Sequence, residues 1–412
     1  MKDLLTINSS RLHETFQTSA GIGTLPHGGL CRLSLGDEDK DIRDIFVTWL
    51  KEAGLTVRVD DFGNIYGRRE GRNKDAAAVL VGSHLDTQPK GGKFDGILGV
   101  LAALEVVRTL NDHNIETERP IEIVNFTNEE GARFEPPMLG SGGVADIFDA
   151  EYVLGRKDRN GISLGEELTR IGYAGAKENR AKDIYRYVEL HIEQGPVLER
   201  EGVTIGAVEG IQGMTWVEVK LKGQADHAGP TPMSMRRDAL VAAAKMIVTI
   251  QQIAKDIDET STTTVGRITA EPGAVNCVPG EVVFSIDVRH FEDLVREKML
   301  EVILEKISTI AAVEQVSIEV SKFWDINATH FSQDILKHVI EGAEAYGYSV
   351  KRMVSGAGHD AKYMNDIVPS AMIFVPSVDG KSHCEEEHTK WEDVEKGTNV
   401  LLHVISSLAQ EK

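Results

Sequence analysis

The sequence predicts an α/β protein in which a mixed, largely parallel sheet with flanking helices is interrupted by an inserted α+β domain. Three observations predict it. The continuous apolar runs AVLVGS and IEIVNF lack polar alternation, as strands covered on both faces do. Helical patterns alternate with those strands, which is how a parallel sheet is connected. Near residue 211 the strands change from continuous runs to alternation, so a second kind of sheet begins there.

Taken in order, residues 37–53 (DEDKDIRDIFVTWLKEA) open on acids and carry Ile42, Ile45, Phe46, Trp49 and Leu50 at helical spacing. Gly54 ends that helix. LTVRVDDFGNIYGRR reads as two short strands around an Asp-Phe-Gly-Asn turn. AAAVLVGSHLD is a covered strand, GILGVLAALEVVRTLNDH a long helix and RPIEIVNFTNEE a second covered strand. IYRYVEL and SAMIFVPS complete the apolar set. From GMTWVEVKLKGQADHA to EQVSIEVSKFW the order is βαββαβ, which predicts a ferredoxin-like sandwich over residues 211–325. The helix DILKHVIEGAEAYG returns to the first domain, which is therefore made of residues 1–210 and 326–412.

Bulk properties narrow the function. The chain has 412 residues and is 41% hydrophobic, enough for two cores. Its 45 Lys plus Arg against 65 Asp plus Glu give a formal charge of −20, which argues against nucleic-acid or anionic-membrane partners. Cys31, Cys277 and Cys384 are scattered and odd in number, which argues against a disulfide framework or a thiolate zinc site. The N-terminus lacks the apolar stretch of a signal peptide, and no run approaches the roughly 18 apolar residues of a membrane span. A soluble, cytoplasmic protein is expected.

In open α/β sheets functional groups gather past the carboxyl ends of the strands. His84 and Asp86 follow AVLVGS, Glu129 and Glu130 follow IEIVNF, His191 follows IYRYVEL, and His383 follows SAMIFVPS. Glycines surround Asp95, so the backbone there can fold back towards His84. Imidazole and carboxylate without thiolate suit zinc, manganese, cobalt or nickel. Five ligands serve two ions if one carboxylate bridges them, in paired sites about 3.5–4 Å across. Two residues from His84 on a strand end, Asp86 is placed to hold its imidazole from behind. The adjacent pair Glu129-Glu130 reads either as the solvated first turn of a helix or as two carboxylates with different tasks at a metal site.

HLDT, FDG, NEEGARF, HIEQGP and the late SH together resemble the M20 metallohydrolases, over nearly the whole chain. KFDGILG is similar to the hydantoinase/carbamoylase amidase branch: N-carbamoyl-L-amino-acid hydrolases, β-ureidopropionases and allantoate amidohydrolases. The resemblance implies a di-metal catalytic domain and a lid and dimerisation domain. His84, Asp95 and His191 would hold one divalent ion, and Asp95, Glu130 and His383 the other. Glu129 would be the general base, with Asp86 beside it in the catalytic set. Gln194, His227, Asn276, Arg289 and Gly358 would bind substrate. His227 would reach across a homodimer to stabilise the oxyanion, and Arg289 would pair with the substrate's carboxylate. The implied reaction is hydrolysis of a small ureido acid, an N-carbamoyl-L-amino acid, to amino acid, carbon dioxide and ammonia. Allantoate or a β-ureido acid is the alternative substrate, ahead of the peptide or acyl substrates of a dipeptidase or aminoacylase. A metal-dependent binding protein is the non-enzymatic alternative. Where many members read SHNPAE after the last ligand, this chain reads SHCEEEHT, which alters the surroundings of His383.

Overall fold

The apolar runs are where the central strands lie in this computed structural model, which describes residues 4–411. Ala78–His84 and Ile121–Phe126 are strands with every residue buried. They pair in parallel, with His84 opposite Phe126. Ile184–Ile192 joins the other edge of Ala78–His84 in parallel, and Ser370–Val375 joins Ile184–Ile192 in parallel. Four parallel strands therefore bring their carboxyl ends to one rim, and strands covered on both faces need no polar alternation. Antiparallel strands extend this centre. Ile65–Arg69 and Thr56–Val59 lie beyond Ile121–Phe126, and Ile205–Ile211 lies beyond Ser370–Val375. The sheet is thus mixed, with its parallel part in the middle.

Chain contacts divide the protein into two units. One runs up to Glu209 and resumes at Phe331, and the other is Gly210–His330. In the first, the helix Ile97–Asp112 packs on Ala78–His84 and against the C-terminal helix Trp391–Gln410. It is enclosed nearly all round, which is why its sequence lacks a polar stripe. The helix Asp37–Glu52 has three acids in its first turn, where the helix dipole favours them. Two of its charged residues nevertheless face inward: Asp39 and Arg43 form a fully buried ion pair at 2.8 Å. Arg43 also donates to the Gly63 carbonyl at 2.7 Å and to Thr127 Oγ1 at 3.2 Å, two residues before Glu129.

In the second unit alternate residues of Gly213–Lys222 and Glu281–His290 are buried, so one sheet face is covered. Val217, Val219, Phe284 and Ile286 pack there with Met246 and Ile250 of the helix Ala239–Ile257 and with Met299 and Ile303 of Asp293–Val313. Ser317–Ile326, Gly213–Lys222 and Glu281–His290 are successive antiparallel neighbours, and Thr262–Thr264 and Ile268–Glu271 share the far edge. This is the ferredoxin-like order. Among the described residues no helix is long and apolar enough to cross a membrane.

Removing one partner of a buried ion pair strands the other charge. Arg43→Met is therefore expected to cost the first unit about 3–5 kcal/mol in denaturant unfolding. A loss below 1 kcal/mol would show that Asp39 is relieved by other means.

Candidate metal centre

At the rim of the parallel strands one carboxylate faces two ways. Asp95 Oδ1 lies 3.1 Å from His191 Nε2 and 3.6 Å from His84 Nε2. Asp95 Oδ2 lies 3.4 Å from His383 Nε2, which in turn is 3.5 Å from Glu130 Oε2. Among the described residues two trios share Asp95, His84–Asp95–His191 and Asp95–Glu130–His383, each with one donor atom per residue within 4.8 Å of the others; a third such group, Glu189–His191–His359, shares His191 without Asp95. Glu129 belongs to none of them, and its Oε2 stands 3.5 Å from His84 Nε2. Glu129 and Glu130 sit in an irregular loop, and the next helix begins only at Leu139, so they are not a helix start.

The loops that carry these groups are held in unusual backbone. Asn128 (φ 59°), Gln194 (φ 57°) and His383 (φ 55°) occupy the left-handed region. Non-glycine residues there carry strain that clusters at functional sites. Gly96 also has φ 66°, and a Cβ on it would stand 2.2 Å from His84 Cε1.

The support of His84 differs from the expectation. Its Nδ1 faces the backbone carbonyl of Asp86 at 3.0 Å, while the Asp86 carboxylate is 3.9 Å away. That carboxylate instead accepts the backbone N–H groups of Glu129 at 3.3 Å and Glu130 at 3.4 Å. The chain turns after His84, so the carbonyl two residues on is what reaches the ring. His191 Nδ1 likewise faces the Ile192 carbonyl at 2.9 Å. Carbonyls only accept, so both Nδ1 atoms carry a proton, and the Nε2 atoms are the ones that face the centre. His84 Nε2 is buried without a hydrogen-bond partner. A buried, unpaired nitrogen aimed at a carboxylate fits a metal ligand, and so does the donor chemistry of both trios.

Charge points the same way. Burial, then the carboxylates of Asp360, Glu130, Asp95 and Asp86, push Glu129 well above the usual range. Burial, Asp95 and Asp86 do the same to Glu130. Burial lowers His84 to about 4. Burial would also lower His191, but the hydrogen bond and charge of Asp95 outweigh it and raise it to about 9. Burial would raise Asp95, but His191 and His383 more than reverse it and hold it well below the carboxylate range. Burial, then the charge of Asp39, pushes Asp86 up to about 7.

Two contributors, Gln88 and Glu189, were not singled out from sequence. Gln88 donates through its backbone N and its Nε2 to the two oxygens of Glu130, at 3.2 and 2.8 Å. Glu189, two residues before His191 on the same strand face, accepts from Ser83 Oγ at 2.7 Å, Tyr187 OH at 3.0 Å and Ala361 N at 3.0 Å. A glutamate inside the apolar run IYRYVELHI was the available signal. His359 is buried edge-on to His191 with ring centroids 4.5 Å apart, and a Cβ on its neighbour Gly358 would stand 3.3 Å from Met138 Cε. Gln194 Nε2 donates to Asp95 Oδ2 at 2.8 Å.

His227, Asn276 and Arg289 belong to the second unit. His227 lies in a two-stranded ribbon opposite Cys277, and the Asn276 carbonyl accepts from Ala228 N at 2.9 Å. Arg289 is paired with Asp287, Nη2 to Oδ2 at 2.7 Å.

Two outcomes follow from this geometry. Gly96→Ala drives a methyl group into the His84 ring and is expected to weaken cation binding about 10–100-fold, as loss of ligand support does. Unchanged affinity by chelator competition would show that the ring can yield. A proton on His191 competes with a cation for Nε2, so binding at pH 7 is expected to release protons and to tighten as pH rises. Calorimetric heats that do not depend on the buffer's ionisation enthalpy would contradict this.

Comparison with known proteins agrees with the constellation. The model of peptidase family M20/M25/M40 matches residues 80–407. An N-carbamoyl-L-amino-acid amidohydrolase of Rhizobium meliloti is 41% identical over 404 residues, spanning 98% of this chain and 97% of that protein. An allantoate amidohydrolase of Bacillus subtilis (strain 168) is 33% identical over 410 residues, 99% of each. A solved amidase of the hydantoinase/carbamoylase family from Burkholderia multivorans superposes with a TM-score of 0.96 at 47% identity, covering 99% of both chains. The chain belongs to peptidase family M20/M25/M40 and, by this likeness along its whole length, to the hydantoinase/carbamoylase amidases.

Proposed function

We propose that this protein is a metal-dependent amidohydrolase that cleaves the ureido C–N bond of N-carbamoyl-L-amino acids, yielding the amino acid, carbon dioxide and ammonia. The observation that carries this reading is the pair of donor trios sharing Asp95, with Glu129 beside them and in neither. His84, Asp95 and His191 would hold one divalent cation, and Asp95, Glu130 and His383 the other, with zinc, manganese, cobalt and nickel all suited to these donors. When bound, such a pair supplies a water of lowered pKa and Lewis-acid polarisation of a carbonyl.

The chain's own residues do the rest. Glu129 takes a proton at Oε2 as water attacks the ureido carbon, and delivers it to the leaving nitrogen. The burial and neighbouring carboxylates that raise Glu129 give it the proton affinity such a shuttle needs. Asp86 holds the backbone of both glutamates and so sets their separate directions. Gln194 Oε1 is buried without a partner, an acceptor suited to a substrate N–H. Gly229 N donates to His227 Nδ1 at 3.1 Å, which leaves the proton on Nε2, the donor an oxyanion requires. Arg289, oriented by Asp287, pairs with the α-carboxylate, while Asn276 and Gly358 contact the substrate. The second unit serves as lid and dimerisation domain, and His227 acts on the partner subunit's centre in a cytoplasmic homodimer. Met233 and Met235, shortly after His227, are 77% and 68% exposed, as residues awaiting a partner surface would be. The Bacillus subtilis relative supports allantoate, also a ureido acid, as the second substrate reading.

After reconstitution with each of the four metals, ammonia release from a panel of N-carbamoyl-L-amino acids, with allantoate as comparator, tests the assignment. Glu129→Gln is expected to keep both cations and lose about 10²–10⁴-fold in turnover. Glu130→Gln is expected to lose cation affinity instead. Near-normal turnover by fully metallated Glu129→Gln would rule out its role as base. A fully metallated wild type that hydrolyses none of the panel would sink the amidohydrolase reading.

A further inference from the structure

We infer that Glu387 is a positioning residue for Asp95, tying the two ligand-bearing loops into one unit. The inference rests on the two-cation reading of the centre. In SHCEEEHT the three consecutive acids differ sharply in environment: Glu386 is exposed, Glu385 is half-buried and Glu387 is only 5% exposed. Glu387 Oε1 accepts the backbone N–H groups of Asp95 at 3.1 Å and Phe94 at 3.3 Å. Glu387 Oε2 lies 3.0 Å from Ser382 Oγ, the residue before His383, and Ser382 Oγ is itself 3.1 Å from Asp95 Oδ2. One carboxylate therefore spans from the backbone beneath one ligand to the residue that leads into another.

The chain makes room for this contact. A Cβ at Gly92 would stand 2.0 Å from Glu387 Oε1, so the second glycine of QPKGGKFDG is required by the glutamate that lies against it. That glycine-rich loop has little stiffness of its own. Asp95 must nevertheless aim Oδ1 at His84 and His191 and Oδ2 at His383 at once. Side-chain direction follows backbone position, and Glu387 holds the Asp95 N–H. Every side-chain hydrogen bond of Glu387 goes to a loop that carries a ligand. The departure from SHNPAE thus leaves the sixth position of the segment acidic, and that position is the one with a task.

The test uses the full-length protein. Cation dissociation constants are measured by chelator competition, and the visible absorption of the cobalt-loaded form reports ligand geometry. Glu387→Ala is expected to bind cations about 10–100-fold more weakly, with an altered cobalt spectrum. Glu387→Gln keeps an oxygen for both backbone N–H groups and is expected to lie within about threefold of wild type. Ser382→Ala leaves those two bonds in place, removes the link to His383, and is expected to weaken binding by a lesser factor with its own spectral change; it decides the matter if Glu387→Ala does not fold. Wild-type affinity and spectrum in Glu387→Ala, or in Ser382→Ala where it stands in, would overturn the inference, and so would a Glu387→Gln as weak as the alanine variant. A wild type that binds no divalent cation would instead sink the two-cation reading itself.

Discussion

Asp95 is a buried carboxylate that faces two sets of donor residues with one side chain. Neither oxygen can be spared, because Oδ1 faces His84 and His191 and Oδ2 faces His383. Such a group cannot be adjusted by its own rotation without favouring one trio over the other. Its position must come from elements with no freedom to drift. The parallel strands provide that: His84 ends one, His191 lies near the end of its neighbour, and the segment bearing His383 follows a third. The hydrogen-bond register of the sheet therefore sets the spacing of the His84 and His191 imidazoles before any loop contributes.

The loops contribute strain. Three non-glycine residues beside the centre have positive φ, and one of them, His383, is itself a ligand candidate. Each such residue costs about 1–3 kcal/mol. The offset comes from neighbours that are over-restrained. The Asn128 amide donates to the carbonyl of Phe134 at 2.8 Å, and Gln194 N donates to Ser377 Oγ at 3.0 Å. A site assembled this way gives up stability locally and keeps its donors aimed inward, which suits binding small, highly charged ions.

How much of this was legible follows from where the information sits. The apolar runs and the residues at their ends were readable because burial on both faces and the strand-end rule act on adjacent residues. The antiparallel flanks of the sheet were not readable in the same way, since short strands such as Thr56–Val59 do not reveal which neighbour they join. The helical pattern of residues 37–53 marks out its apolar positions and says nothing of Asp39 and Arg43. Their burial depends on Gly63 and Thr127, residues no local pattern connects to them. Glu189 and Gln88 escaped for the same reason: apart from Tyr187, two residues from Glu189, their partners lie roughly 40 to 170 positions away in the chain. Asp86 was rightly placed at the strand end, but the direction of its carboxylate was decided by a turn whose geometry the residue types left open.

That turn also explains how two adjacent glutamates come to point in different directions. The Asp86 carboxylate accepts both of their backbone N–H groups, Oδ1 from Glu129 and Oδ2 from Glu130. Holding both N–H groups on one carboxylate fixes the two Cα positions relative to the His84 strand end and leaves the side chains to diverge. Glu130 is then drawn to one side by the two donors of Gln88 and faces His383. Among the described residues no comparable side-chain donor holds Glu129, whose Oε2 stands 3.5 Å from His84 Nε2. The different surroundings of the two glutamates thus do not come from the residue type. Carboxylate charge presses on both glutamates, so what separates them is the pair of Gln88 donors that holds Glu130 and not Glu129.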